Sequence, residues 1–294
     1  MSNITLKQLR YFDALARTGQ FATAAAQCNI SQPALSMQVK ELESTFGVVL
    51  VDRGQKSLPL TPVGQTVWAK AQNILNAVED LEDVIRSGQG ALGGILRLGV
   101  IPTIAPYYLP KVMHQLAEDV PDLNIRPREA MTKVLMAEVL DGRLDAALVA
   151  LPISEPGLAE FPLFSESFVL ARSKRDAGCP VPNLERLPEL RLLLLEEGHC
   201  FRDQALEICK IPGAPEEMME GSSLSTLVQM VGAGVGITLL PEMAVPIETR
   251  AADIDVARFP DPNPQRHIGL IWRKSSPLIE EYQAIGAHLR GQST

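Results

Sequence analysis

Cysteine is scarce in this chain of 294 residues, which has only four, at positions 28, 179, 200 and 209. Such irregular spacing does not predict the disulfide framework of a small secreted domain. No apolar run approaches the roughly 20 residues that a membrane-spanning helix needs. Residues 1–7 also lack the charged and apolar regions of a secretory signal. We therefore expect a cytoplasmic protein without membrane contact, in which a disulfide acts as a signal rather than as a brace.

An excess of positive charge is also missing, since the formal net charge is −8. This balance argues against indiscriminate binding of nucleic acid. Residues 1–58 nevertheless carry six Lys and Arg against four Asp and Glu, a net of +2, so the remainder carries −10. A small basic head on an acidic body can still bind DNA through one focused face.

Metal and cofactor signals are absent as well. The four histidines show no metal-ligand spacing with the cysteines, and the glycines at 232–236 precede an apolar strand pattern without dinucleotide spacing. We expect neither a metal nor a cofactor.

The first 46 residues predict a helix-turn-helix. Thr5 caps an amphipathic helix that ends at Gly19, a short Ala-rich helix spans 21–28, and Ser31 caps a third helix with Pro33 in its first turn. The third helix is predicted to bury Leu35, Val39, Leu42 and Phe46. Its outer face carries groups suited to base edges and phosphates: Gln32, Ser36, Gln38 and Lys40.

Two short apolar segments, 48–51 and 58–60, predict a β-wing with Arg53 and Lys56 near its tip. The alternative is a small helical domain that binds nothing and whose basic loop is solvated.

A long helix is predicted from Pro62 to about Ser87, followed by a glycine-rich hinge at 88–94. Its apolar residues are spaced alternately by four and three positions: Val63, Val67, Ala71, Ile74, Val78, Leu81 and Ile85. Such a narrow seam on a helix of roughly 39 Å favours pairing with the same helix of a second subunit. Packing of the seam against the chain's own body is the alternative.

Strand-like and helical patterns alternate from Ile95 onwards, which predicts an open parallel α/β sheet. About 200 residues suffice for two small lobes with a cleft between them, where ligands of such sheets bind.

Cys200 follows Gly198-His199 and precedes a helical pattern that reaches Ile208, so it is expected at a helix N-terminus. Partial positive charge there favours the thiolate, which is the reactive form. Cys209 ends the same pattern. In a continuous helix the two α-carbons would lie roughly 13 Å apart, whereas a disulfide tolerates about 7 Å at most. The pair is either a conformational switch or two ordinary buried thiols.

Five stretches of the N-terminal part form a dense set of motifs: Leu9–Phe12, Ala22–Ala26, Ser31–Ser36, Lys40–Glu43 and Leu60–Gly64. This set resembles the winged head of the LysR-type transcriptional regulators. The resemblance implies a DNA-binding domain over 1–61, a dimerisation helix with hinge over 62–92, and a two-lobed regulatory domain of the periplasmic-binding-protein type over 93–294. Lobe I would comprise 93–163 and 267–294, and lobe II 164–266. The resemblance places Gln32, Pro33, Ser36 and Lys40 at the major groove and Arg53 near the minor groove.

Five further stretches match one group within that family: Ile101–Thr103, Glu129–Thr132, Gly198–Ala205 with Cys209, Gly234–Pro241 and Arg266–Leu270. They resemble the OxyR-type hydrogen-peroxide regulators. The resemblance implies that Cys200 is the peroxidatic thiol and Cys209 the resolving thiol. It also implies that Thr103 and Thr132 hydrogen-bond the peroxide, that His199 lines its pocket and that Arg266 favours the thiolate. The implied partners are promoter DNA, hydrogen peroxide, further copies in a homodimer or homotetramer, and RNA polymerase.

Two other functions stay open. A small metabolite in the cleft could be the signal, with both cysteines incidental; alternatively, the chain could be a thiol peroxidase, against which the predicted DNA-binding head argues. We expect a regulator, not an enzyme.

Overall fold

The computed structural model describes residues 4–52, 58–87, 94–211 and 219–291. The chain divides into two units, Met1–Ile85 and Arg86–Thr294. None of the helices in the described ranges is long and apolar enough to cross a membrane.

Capping residues set the first three helices, which are α1 (Leu6–Thr18), α2 (Phe21–Gln27) and α3 (Gln32–Phe46). The Thr5 hydroxyl accepts the Gln8 N–H in a capping box, and the Ser31 hydroxyl accepts the Ala34 N–H. These caps confirm the predicted helix starts. The predicted burial of Phe46 is wrong: its side chain is 37% exposed because α3 ends there and the chain turns at Gly47.

The wing and the long helix complete the first unit. Val51 and Leu60 form an antiparallel bridge, as the predicted wing requires, while Arg53 and Lys56 at its predicted tip lie outside the described residues. Helix α4 spans Pro62–Ser87, as predicted.

The predicted apolar seam of α4 is partly buried in the core of the first unit and partly exposed to solvent. Ala71 is buried with the core of the first three helices, and the Trp68 indole N–H donates to Asp13 at 2.8 Å. In contrast, Ile74 is 48% and Leu81 60% exposed. Ala71 thus packs on the core of the first unit, while the exposed seam positions remain available to a partner.

The second unit begins with β1 (Gly94–Val100), α5 (Ala105–Asp119), β2 (Leu123–Glu129), α6 (Thr132–Leu140) and β3 (Ala146–Leu151). Strand β1 lies between β2 and β3 and is parallel to both. This part confirms the predicted parallel α/β pattern.

The remaining elements are β4 (Leu158–Ser173), β5 (Leu194–Leu195), α7 (Cys200–Ile208), β6 (Glu220–Gly221), α8 (Leu224–Gly232), β7 (Thr238–Pro241), α9 (Val245–Ala251), β8 (Ile254–Arg258), β9 (Gln265–Arg273) and α10 (Ile279–Gly291). Strand β4 pairs antiparallel with β9 up to Ser167 and with β7 and β8 from Phe168 onwards. The predicted open parallel sheet therefore holds only for β1, β2 and β3; it is wrong for the rest of the sheet, because β9 runs antiparallel to both β3 and β4, and β4 runs antiparallel to β7 and β8.

Two hydrophobic cores fill this unit. The first-lobe core draws its buried residues from 96–163 and 268–289, and the second-lobe core draws them from 168–259. The chain thus combines a winged helix-turn-helix, a long helix and a two-lobed α/β body. The predicted domain and lobe boundaries stay predictions.

Candidate thiol site and nucleic-acid interface

The thiols of Cys200 and Cys209 belong to opposite ends of one helix. Cys200 is the first residue of α7, with His199 as its N-cap, and Cys209 is the C-cap. This confirms the predicted position of Cys200 at a helix N-terminus. Cys200 is half-buried and packs against the first-lobe core, whereas Cys209 is buried in the second-lobe core. Both are free thiols.

Burial gives Cys209 the character of an inert thiol. It raises the pKa of Cys209 to about 11, so at neutral pH the side chain is protonated. Cys209 in this position packs as a small hydrophobe rather than as a nucleophile.

Cys200 opens into a cavity of about 860 Å³, the thiol groove, which α6, α7 and the start of β9 line together. Thr132 lines it from the first residue of α6, and Arg266 lines it from β9. The Thr132 hydroxyl oxygen is buried and has no hydrogen-bond partner among the described residues. An unsatisfied buried hydroxyl is unfavourable, so this group is suited to binding a small polar ligand.

His199, next to Cys200, provides a second unsatisfied polar atom. Its Nε2 is buried and finds no partner in the described part of the chain. Burial lowers the pKa of the His199 imidazole, although Glu196 acts in the opposite direction. The ring is therefore neutral at pH 7 and can accept or donate one hydrogen bond, depending on its tautomer.

Arg266 is buried, with 2% of its surface exposed, and it connects the two lobes. Its Nε donates to a Glu166 carboxylate oxygen at 2.7 Å, and Nη1 donates to the Thr103 hydroxyl at 2.9 Å. Its guanidinium carbon lies 5.4 Å from the centroid of the Phe201 ring, directly after Cys200 in the chain. The positive charge of Arg266 is thus held between Thr103 and the start of α7.

Arg202 and Asp203, in the first turn of α7, take different partners. Arg202 is buried, pairs with Glu220 at 2.6 Å and donates to the Leu195 carbonyl at 2.7 Å. Asp203 instead lines the thiol groove. Arg202 therefore anchors α7 to the β5–β6 pair.

Comparison with known proteins agrees with both units. Residues 6–65 match the family described as bacterial regulatory helix-turn-helix protein, lysR family, and residues 89–294 match the LysR substrate binding domain. The chain belongs to the LysR family.

Named relatives place it in the OxyR group of that family. A probable hydrogen peroxide-inducible genes activator of Streptomyces viridosporus is 42% identical over 97% of this chain and 93% of its own. A full-length OxyR variant of Pseudomonas aeruginosa superposes with a TM-score of 0.78 at 35% identity, covering 99% of this chain and 96% of its own. A peroxide-bound OxyR cysteine variant of Corynebacterium glutamicum gives 0.67 at 37% identity, covering 98% and 92%.

The LysR-type head presents part of its predicted DNA-binding face to solvent. Gln32, Pro33 and Lys40 on α3 are exposed, and Ser36 is half-buried. The Gln38 amide donates one N–H to Glu41 at 3.1 Å, which leaves its second N–H and its carbonyl oxygen for contact with a base. Arg53 lies outside the described residues.

Four of the predicted peroxide-site residues are distributed around α7. Thr132 and Arg266 line the thiol groove together with Cys200. Thr103, which contacts Arg266, and His199, which is the N-cap residue of α7, do not line it. Cys209 is apart from them, in the other core. Among the described residues, no cluster of three or more His, Cys, Asp and Glu is arranged to hold a metal ion.

Sequence reasoning missed Glu166. It is paired with Arg266 across β4 and β9, a contact between residues 100 positions apart. The only available signal was an acidic residue within an otherwise apolar strand pattern, close to the predicted crossover near residue 164.

Proposed function

We propose that this LysR-family chain is a DNA-binding transcriptional regulator that senses hydrogen peroxide through Cys200 and Cys209. The observation that carries this is the buried, unsatisfied Thr132 hydroxyl, which lines the thiol groove together with Cys200 at a helix N-terminus. A second unsatisfied atom, His199 Nε2, belongs to the residue directly before that thiol. Hydrogen peroxide is small and has two donors and two acceptors, so it can satisfy such a hydroxyl while it contacts the thiol. Thr103 and Arg266 would complete the site, the first as a further hydrogen-bonding group and the second as the cation that favours the thiolate.

The chemistry consumes one peroxide and two thiols. The Cys200 thiolate attacks one peroxide oxygen, the O–O bond breaks, and the other oxygen leaves as hydroxide and takes up a proton to become water. The resulting sulfenic acid condenses with the Cys209 thiol, which forms the S–S bond and releases a second water. A cellular thiol reductant would restore both thiols.

This second step requires a change of fold. Nine residues of helix separate the α-carbons of Cys200 and Cys209 by roughly 13 Å, and the two side chains pack into different cores. A disulfide needs α-carbons within about 7 Å. Helix α7 must therefore unwind, and Cys200 must leave the first-lobe core, before the bond can form.

DNA binding would use the α3 face, with Gln32, Pro33, Ser36, Gln38 and Lys40 at the major groove and Arg53 at the minor groove. Two copies paired through the exposed seam of α4 would present two recognition helices to one palindromic site. A homotetramer and contact with RNA polymerase, which the resemblance implies, remain predictions.

The names of two relatives support the proposed function, which the experiment below tests in this chain. The Streptomyces viridosporus protein is called a probable hydrogen peroxide-inducible genes activator, and the Corynebacterium glutamicum structure contains bound peroxide. Oxidation would change the angle between subunits and so the promoter half-sites that are occupied.

Footprinting with and without peroxide tests the proposal directly. We expect one equivalent of peroxide to alter the footprint of the wild type and to link Cys200 to Cys209 in mass mapping. Cys200→Ser should abolish both responses, whereas the matched variant Cys179→Ser, at an exposed thiol, should retain both. A peroxide-dependent footprint in Cys200→Ser would contradict the sensing role.

A metabolite-responsive regulator is the second candidate, because the thiol groove of about 860 Å³ is within the size range of small-molecule sites. Counting free thiols after one equivalent of peroxide separates the two functions, since incidental thiols would survive. Sustained peroxide consumption with a reductant would instead indicate a thiol peroxidase.

A further inference from the structure

Glu166 and Arg266 face each other where the chain passes between the lobes. They are directly opposite in the antiparallel pair β4–β9, one residue before β4 leaves β9 for β7 and β8. Both residues are buried. A buried carboxylate and guanidinium are stable only when their hydrogen-bonding groups are well satisfied.

The Glu166 carboxylate has two distinct tasks. One oxygen, Oε1, accepts from Arg266 Nε at 2.7 Å and lies 2.7 Å from Nη2. The other, Oε2, accepts the backbone N–H of Met243 at 3.0 Å. Held at both ends, the carboxylate fixes the plane of the Arg266 guanidinium rather than only its charge.

The two terminal nitrogens of the Arg266 guanidinium fix the direction of the Thr103 hydroxyl group. Nη1 donates to the Thr103 hydroxyl oxygen at 2.9 Å, and Nη2 donates to the Thr103 carbonyl at 3.1 Å. Because the hydroxyl oxygen already accepts from Arg266, its own hydrogen must point elsewhere. No acceptor for that hydrogen is found among the described residues. Thr103 is buried and does not itself line the thiol groove, but Arg266, which it contacts, does, so a ligand would meet this hydrogen beside that guanidinium.

We propose that Glu166 is a positioning residue for the oxidation of Cys200, which acts through Arg266 on the direction of the Thr103 O–H. This role rests on the peroxide chemistry proposed for Cys200. Glu166 holds the guanidinium, the guanidinium occupies the Thr103 oxygen as a donor, and the Thr103 hydrogen is left to bind the peroxide while its O–O bond breaks.

Only a carboxylate of this length can perform the task. Both ends of Glu166 meet N–H donors, from Met243 and from Arg266. In Glu166→Gln, either orientation of the amide turns its own N–H₂ towards one of those donors. Glu166→Asp keeps two acceptors but shortens the side chain by one methylene, so that it cannot reach both partners.

The charge of Glu166 allows a positioning role to be distinguished from simple stabilisation of the Cys200 thiolate. Glu166 offsets the positive charge of Arg266, so its removal should leave alkylation of Cys200 as fast as in the wild type or faster. The reaction with peroxide should nevertheless slow down, because the Thr103 donor is misdirected. Misplacement of a reacting group by about 1 Å lowers rates by up to roughly 100-fold.

The test compares the full-length wild type with Glu166→Gln, Glu166→Asp and a matched control, Glu160→Gln. Glu160 also belongs to β4 and accepts two backbone N–H groups, but it does so with a single oxygen at an exposed site, which glutamine can reproduce. For each protein we would measure the second-order rate of Cys200 oxidation by peroxide and the rate of Cys200 alkylation by iodoacetamide between pH 5 and 9. Thermal melts report folding.

We expect peroxide oxidation to fall roughly 10- to 100-fold in both Glu166 variants, with alkylation undiminished, and no change in Glu160→Gln. Adding Thr103→Val to Glu166→Gln should lower the rate little further, because both changes remove the same donor. Equal oxidation rates in wild type and Glu166→Gln would overturn the positioning role and leave the sensing function intact. A parallel fall in alkylation and oxidation would also overturn it, since that indicates general loss of structure. A wild type that reacts with peroxide no faster than a free thiol would overturn the sensing function itself, and the role of Glu166 with it.

Discussion

Ala205→Gly tests whether oxidation unwinds α7. Ala205 lies in the middle of that helix, its methyl group is buried in the second-lobe core, and its carbonyl accepts the Cys209 N–H at 3.0 Å. Ala205 is not one of the residues that line the thiol groove. The substitution therefore weakens the helix without touching either sulfur or the groups around Cys200.

Its magnitude follows from two terms. Glycine in a helix interior is less favourable than alanine by about 1 kcal/mol, and a buried methyl group contributes about 0.8 kcal/mol. Together these two terms should lower the free energy of unfolding of the reduced form by about 2 kcal/mol. If α7 is unwound in the disulfide form, the substitution does not destabilise that form. Reduction then has to rebuild a helix that is less stable than in the wild type. For a two-electron couple, about 30 mV corresponds to 1.4 kcal/mol, so the reduction potential should become more negative by about 40 mV.

The assay equilibrates the protein in dithiothreitol buffers of graded potential and traps the remaining thiols for gel analysis. Ala287→Gly, at an exposed position of α10, is the matched control and should lower the free energy of unfolding without moving the potential. An unchanged potential in Ala205→Gly, with a measured loss of about 2 kcal/mol in the reduced form, would refute the unwinding.

Three further predictions concern buried polar groups. Burial raises the pKa of Cys209 to about 11, so N-ethylmaleimide at pH 7.5 should modify the exposed Cys179 at least about 100-fold faster than Cys209 until the protein is denatured. Burial lowers the pKa of the His199 imidazole below its ordinary value of 6.5. The unfolded chain therefore binds a proton on this imidazole near pH 6.5, whereas the folded chain does not, so folding becomes less favourable as the pH falls. Urea titrations at pH 7.5 and 5.5 should show that the wild type loses stability relative to His199→Gln at the lower pH. Tyr107→Phe removes the donor at 2.6 Å from the buried Glu248, and urea titration should show a loss of about 1–3 kcal/mol; no loss would mean that water replaces the phenol without penalty.

Sequence reasoning located the helices well because their signals are local. The Thr5 and Ser31 caps are readable from neighbouring residues, and both were confirmed. The helix that begins at Cys200 was also predicted from local composition. Phe46 was misjudged because periodicity does not say whether core lies beyond the last turn.

Strand direction and long-range pairs could not be obtained in the same way. Alternating strands and helices predicted a parallel sheet, but β4 and β9 return between the lobes and run antiparallel. The pairing of Glu166 with Arg266 depends on that return and on its register. No spacing in a single sequence encodes a contact across 100 residues, so the anchor of Arg266 was found only in the folded chain.

The placement of the two thiols suggests how a local bond can alter the whole regulatory unit. Cys200 packs on the first-lobe core while the next residue, Phe201, is buried in the second. Joining Cys200 to Cys209 must withdraw the first thiol from the first-lobe core and so removes a contact between lobes. The Tyr107 phenol on α5 donates to Glu248 on α9 across the same junction, and this bond involves neither cysteine. We therefore expect oxidation to pivot the lobes about the remaining contacts rather than to separate them.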